Sequence, residues 1–253
     1  MNKQTTDIQV FWQPGCSSCL RTKEFLTKQG VAFESIDVHN DAEGRARLLA
    51  LGARTVPVVA RAGKFTYCQT MKDVIAFLQL DTTMNEPLSP QVLKDRLILV
   101  ITAAVRFTRQ MPAEFAFSPF RDRDRSFAST AFHTFRVAEM GIEAARQIEL
   151  RSEGFREVPP SDWTTGDIAL WGEAVASKVA DWWDEPGNDR GFAYTVPTYY
   201  GTRPMHEVFE RTVWHAAQHT RQLMLMLESY GVTPDRPLTE TDLAGLPMPD
   251  SVW

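Results

Sequence analysis

Cys16 and Cys19 enclose two serines, and three of the five histidines, His133, His215 and His219, fall at helical spacings that turn them inward. A C-x-x-C pair does redox chemistry or supplies half of a metal site. The sequence holds no second C-x-x-C to complete such a site. Cys16 follows the strand pattern Ile8-Gln9-Val10-Phe11-Trp12 and the turn Gln13-Pro14-Gly15, and it opens a helical pattern. Backbone N–H groups and the helix dipole favour a thiolate there. Cys16 therefore reads as the nucleophile and Cys19, one turn on, as the resolving thiol. A casual pair of buried thiols is the plainer alternative.

The histidines carry a second chemistry. Val208, Thr212, His215, His219, Gln222 and Met226 step by four and three residues, the stripe of a core-facing helix. Thr130, His133, Val137, Met140, Ala144 and Ile148 repeat that spacing. Three imidazoles aimed into one core are costly unless their nitrogens are satisfied. A divalent metal with three histidine ligands and open positions would do so; hydrogen-bonded core histidines are the alternative. His206 lies off this face and reads as surface, and His39 as a solvated loop residue. The run Arg121-Asp122-Arg123-Asp124-Arg125 reads as a solvated, self-paired loop, and Tyr194, Tyr199 and Tyr200 as loop residues near the metal.

Two kinds of scaffold must hold these groups. Residues 7–80 alternate strand and helix: helix Cys16–Gln29 stopped by Gly30, strand Val31–Val38, helix Ala42–Leu51, a hairpin of Val56–Ala60 and Lys64–Tyr67 around Ala62-Gly63, and helix Met71–Leu80. The order β-α-β-α-β-β-α predicts an α/β domain over 1–82 with a small mixed sheet. A polar, Pro-terminated linker spans 83–87. Over 88–253 the pattern is helical, at about 90–110, 126–150, 165–183 and 205–230. That predicts an all-α four-helix bundle, with a long loop before its last helix.

Composition agrees with two soluble domains. Hydrophobic residues make up 43% of 253 residues and charged residues 23%. Residues 1–85 carry 10 Lys/Arg and 8 Asp/Glu, and the remainder 17 and 24, for a net charge of −5. The acidic second part argues against a nucleic-acid partner. The longest near-apolar run, Leu97 to Val105, is too short for a membrane span, and no apolar signal segment follows Met1. A cytoplasmic location is expected.

The stretches Val10-Phe11-Trp12-Gln13-Pro14-Gly15-Cys16-Ser17-Ser18-Cys19 and Thr55-Val56-Pro57 resemble the glutaredoxin family, a thioredoxin fold. The resemblance implies a cis Pro57 facing the dithiol and a Val56 backbone that pairs with the substrate thiol. Gln13 stands where many glutathione users carry a cation, and Thr66-Tyr67-Cys68-Gln69-Thr70 replaces a Gly-Gly turn. A charge-assisted contact to a carboxylate is thereby lost, which leaves glutathione open, with Gln69 and Thr70 as remaining donors at a helix N-terminus. Cys68 reads first as a small buried residue. Trp214-His215-Ala216-Ala217-Gln218-His219-Thr220-Arg221-Gln222-Leu223, with His133 and the segment 237–253, resembles the DinB-like superfamily of four-helix bundles. That resemblance implies zinc or nickel on the triad His133, His215 and His219, zinc first, and thiol-dependent transferases or isomerases among its branches.

Together the halves imply an enzyme of small-thiol chemistry: a metal-activated thiol transferase or isomerase coupled to a redox dithiol. A small-molecule thiol such as glutathione, an electrophilic substrate, and a glutathione or thioredoxin-type reductant would be its partners. A homodimer is left open. Two rivals stand beside it: a redox-responsive metal-binding module, and a plain dithiol–disulfide oxidoreductase whose helical domain recruits a partner.

Overall fold

The computed structural model describes residues 6–121 and 123–253 and, at positions 123 and 124, the backbone alone. Asp122 and the side chains of Arg123 and Asp124, within the alternating charge run, thus lie outside the described residues. The chain divides into two compact units, residues 1–86 with 249–251 and 253, and residues 87–248 with 252.

In the first unit, β1 (Ile8–Trp12), α1 (Ser17–Lys28), β2 (Glu34–Asp37), α2 (Ala42–Ala50), β3 (Val58–Arg61), β4 (Lys64–Tyr67) and α3 (Met71–Leu78) follow the expected order. The sheet runs β2-β1-β3-β4, with β1 parallel to β2 and the other pairs antiparallel. Alternation along β1 decides the layers. Val10 packs with Leu26 of α1 and Met71, Val74 and Leu78 of α3. Phe11 packs on the opposite face with Leu48 of α2. Ala62 and Gly63 both take positive φ, the conformation of the two-residue turn that suits strand twist. β2 is shorter than the span 31–38, because its pairing with β1 begins at Glu34.

The second unit has four long helices, α4 (Pro90–Gln110), α6 (Phe127–Ala145), α7 (Thr165–Asp184) and α8 (Met205–Ser229). Between and after them lie α5 (Ala113–Ala116), a ribbon of β5 (Pro119–Phe120) with β6 (Arg123–Ser126), a 3-10 turn (Ser152–Arg156), a ribbon of β7 (Thr195–Thr198) with β8 (Gly201–Pro204), and α9 (Glu240–Leu243). Ser89 caps α4, Pro90 opens it, and Ser126 caps α6. α4 packs on α6, α7 and α8, and α6 on α7 and α8.

Three expectations change here. α6 stops at Ala145 rather than 150, because the backbone of Leu150 pairs with β7: its N–H donates to Pro197 O, and its carbonyl accepts from Tyr199 N. Ile148, placed on the inward stripe, is exposed. The stretches expected as loops, 121–125 and the one before α8, hold strands of two-stranded ribbons, which proline tolerates at an edge. Among the described residues no helix is long and apolar enough to cross a membrane.

Candidate functional site

In the first unit β1 delivers the chain into a turn, where Gly15 takes positive φ, and Cys16 becomes the N-cap of α1. Its Sγ accepts from Cys19 N at 3.2 Å, and its carbonyl accepts from Leu20 N at 3.0 Å. Sulfur at a helix N-cap faces unsatisfied N–H groups, the arrangement that holds negative charge. Cys16 and Cys19 are joined as a disulfide, with Cα atoms 5.1 Å apart. Cys16 is half-buried and Cys19 buried, so an incoming group reaches Cys16 first.

The Val56–Pro57 bond is cis, and Pro57 is buried while Val56 is partly accessible. Pro57 O receives Cys68 N at 3.1 Å. Cys68 is free and fully buried, and desolvation holds its thiol far above the usual range. Thr70 caps α3, accepting from Asp73 N at 3.3 Å, and Gln69 beside it is buried. Lys23, one turn beyond Cys19 on α1, sits 3.7 Å over the Trp12 ring. Burial pushes its pKa down, and the Asp37 carboxylate partly opposes that. Trp12 and Lys23 were not singled out from sequence, since a cation–π pair between strand and helix leaves no spacing signal.

In the second unit His133 on α6 and His215 and His219 on α8 come together. One nitrogen from each lies within 4.8 Å of the other two, and all three residues are buried. Ring centroids are 4.6 Å apart for His133 and His219, 4.9 Å for His215 and His219, and 5.3 Å for His133 and His215. Close approach of α6 to α8 makes this possible: a Cβ on Gly141 would lie 2.6 Å from Thr212 Cγ2.

The donors suit a divalent metal. Among the described residues, buried Nδ1 of His215 has no hydrogen-bond partner, a cost that a ligated ion would remove. Desolvation, then the charges of His219, Arg211 and Arg125, hold His215 well below its ordinary pKa of 6.5. That direction favours the neutral ring, the form a metal ligand needs. Gln222 Oε1 lies 2.8 Å from His219 Nδ1, the kind of outer contact that fixes a ligating ring.

Around the triad, Phe155 stacks on His215 at 5.7 Å, and the Arg211 guanidinium lies 4.9 Å over Phe155. Arg211 Nη2 is 3.4 Å from the hydroxyl of Tyr199. Tyr199 therefore belongs to this neighbourhood, and Arg125 is half-buried rather than solvated. Phe155 gave no periodic signal, whereas Arg211 lies one turn before His215, a spacing open to reading. His206, expected at the surface, is half-buried, with Nε2 2.7 Å from Leu88 O; the segment before α4 covers that side of α8. His39 is exposed, as expected.

The glutaredoxin family model matches residues 8–76. Through those residues this chain belongs to the glutaredoxin family. The chain is 35% identical over 60 residues to the Gene 56 protein of Mycobacterium phage D29, covering 23% of this chain and 67% of that protein. Its counterpart in Mycobacterium phage L5 is 38% identical over 53 residues, which cover 21% of this chain and 52% of that one. The chain is also similar to a solved mutant of the thioredoxin-like protein BC3987, at 32% identity. That match covers 30% of this chain and 100% of the other, with a TM-score of 0.29. The glutaredoxin domain with its Cys16–Cys19 pair marks a dithiol oxidoreductase.

Proposed function

We propose that this protein is a thiol-dependent enzyme in which the glutaredoxin dithiol serves a second, metal-dependent thiol site of the transferase or isomerase type. The observation that carries the redox half is the N-capping Cys16 paired with Cys19 in a family-matched domain. The Cys16 thiolate attacks one sulfur of a substrate disulfide, forming a mixed disulfide and releasing the other sulfur as thiolate. Cys19, after losing its proton, attacks Cys16 Sγ and expels the second substrate sulfur. Two electrons pass to the substrate, and the Cys16–Cys19 disulfide remains. An external thiol, glutathione or a thioredoxin-type reductant, returns the pair to its reduced state. Val56, beside cis Pro57, would offer its backbone to the incoming thiol, with Gln69 and Thr70 at the start of α3 as further polar contacts.

The second half rests on the buried triad. The likeness of α8 and His133 to DinB-like bundles supports the same reading, including a four-helix-bundle architecture for 88–253. His133, His215 and His219 would hold zinc or nickel, which when bound would lower the pKa of a ligated thiol. Arg211 and Arg125 add positive charge beside His215, which favours an anionic thiolate over a neutral thiol. Phe155 and Tyr199 wall that side.

Metal analysis of the purified full chain tests the second half: about one equivalent of zinc or nickel, lost in His219→Ala, is expected. Turnover tests the whole. Cys16→Ser should abolish disulfide reduction, and His219→Ala should abolish thiol transfer. Retention of every thiol-dependent turnover in both variants would sink the proposal. A metal-free chain with intact disulfide reduction would leave the plain oxidoreductase.

A further inference from the structure

Two glutamines one turn apart on α8, Gln218 and Gln222, are buried on the same helix as His219. Both give side-chain N–H groups to a single backbone acceptor, the carbonyl of Val252, at 2.8 and 3.1 Å. A carbonyl oxygen only accepts, so each amide must turn its nitrogen toward Val252. The oxygen of Gln222 is thereby turned to Nδ1 of His219, at 2.8 Å. That oxygen also only accepts, so Nδ1 must carry the proton and Nε2 the lone pair. The oxygen of Gln218 is used in the same way by Arg221 Nη1, at 2.8 Å.

We infer that the Val252 carbonyl, acting through Gln222, is a positioning element that selects the ligating tautomer of His219 and thereby sets the metal affinity of the triad. This rests on the metal reading above. Neither Val252 nor Gln222 is a ligand. The dependence is on a segment remote in sequence, 30 residues beyond Gln222. With Val252 seated, only one orientation of the Gln222 amide satisfies both neighbours. With Val252 withdrawn, the amide is free to turn, and its N–H group then faces Nδ1. That orientation favours the tautomer protonated on Nε2, which has no lone pair there. Seating of Val252 is therefore a control on the metal centre. Outer contacts of this kind change metal affinity by about 10–100-fold.

Cobalt(II) is the probe, read by its visible absorption and by competition titration, in the full chain and in a chain lacking residues 249–253. The deletion is expected to weaken cobalt binding about tenfold with Gln222 present. In Gln222→Leu, affinity should fall 10–100-fold, and the deletion should add nothing. Gln222→Glu is the discriminating variant. A carboxylate shows oxygen to Nδ1 whichever way it turns, so this variant should hold cobalt near the wild-type level and ignore the deletion. Circular dichroism and disulfide reduction check that each chain is folded. Equal losses on deletion in all three backgrounds, or no loss in any, would overturn the inference while leaving the metal reading standing. If the wild type binds no cobalt, the metal reading fails, and nitrogen-15 spectra of the His219 ring decide the positioning step alone. Protonated Nδ1 in the full chain and a shift toward protonated Nε2 on deletion would uphold that step, and an unchanged tautomer would overturn it.

Discussion

At the scale of residues, the three cysteines have different environments and should react differently. Cys16 is half-buried at a helix N-cap, Cys19 is buried one turn on, and Cys68 lies in the core beneath β3. Only a thiolate is a good nucleophile, and desolvation keeps Cys68 protonated. Iodoacetamide on the reduced native protein should label Cys16 within minutes and leave Cys68 unlabelled until denaturant is added, as mass spectrometry would read. Rapid native labelling of Cys68 would contradict its burial. Cys19→Ser should stop the reaction at the mixed disulfide, seen as a mass increase equal to the substrate thiol. The place of Cys16 at the start of α1 is legible in the sequence because its strand–turn–helix context is local. The neighbours of the histidines are not local: Phe155 stacks on His215 from a 3-10 turn that no periodicity announced, and Tyr199 meets Phe155 from the turn of a ribbon.

Single elements carry two further predictions. α7 begins with a reciprocal cap, in which Thr164 accepts from Asp167 N at 3.2 Å and Asp167 accepts from Thr164 N at 2.8 Å. Thr164→Ala should cost about 0.5–2 kcal/mol, measured by denaturant titration. Hydrogen bonds from the Thr164 side chain and then its backbone hold Asp167 below its ordinary pKa of 3.8. A carboxylate depressed in the folded state stabilises above its unfolded pKa and loses that contribution as pH falls through the folded one. The stability gap between wild type and Asp167→Asn should therefore be full at pH 7 and close only below about pH 4. The α6–α8 crossing is the second case. A Cβ on Gly141 would sit 2.6 Å from Thr212 Cγ2 and 2.9 Å from its Oγ1. Gly141→Ala should then destabilise by about 1–3 kcal/mol through overpacking, despite the better helix propensity of alanine. An unchanged or raised Tm would show that the helices can part without cost.

Over the whole molecule, each unit has its own core, so a ligand of one should stabilise that one. Zinc added at about 100 times its dissociation constant should raise the stability of the helical unit by about 2.7 kcal/mol. Calorimetry would read this as a shift of one transition, absent in His219→Ala. No zinc-induced shift in the wild type would remove the metal from the functional account.

What the sequence determined by itself is whatever depends on near neighbours. The order of elements over 8–78, the ends of α4, the inward stripe of α8 and the place of Cys16 all follow from short-range periodicity, caps and turns. The convergence of His133 with His215 and His219 was legible as three inward faces, but faces alone do not give proximity. The crossing of α6 and α8 at Gly141 and Thr212 decided that. The end of α6, the two ribbons, the half-buried place of His206 and the turn of the Gln222 amide toward Val252 were decided only in three dimensions. Except for the ribbons, whose strands pair with near neighbours, each depends on a hydrogen-bond partner far along the chain, and no local pattern encodes where such a partner will be.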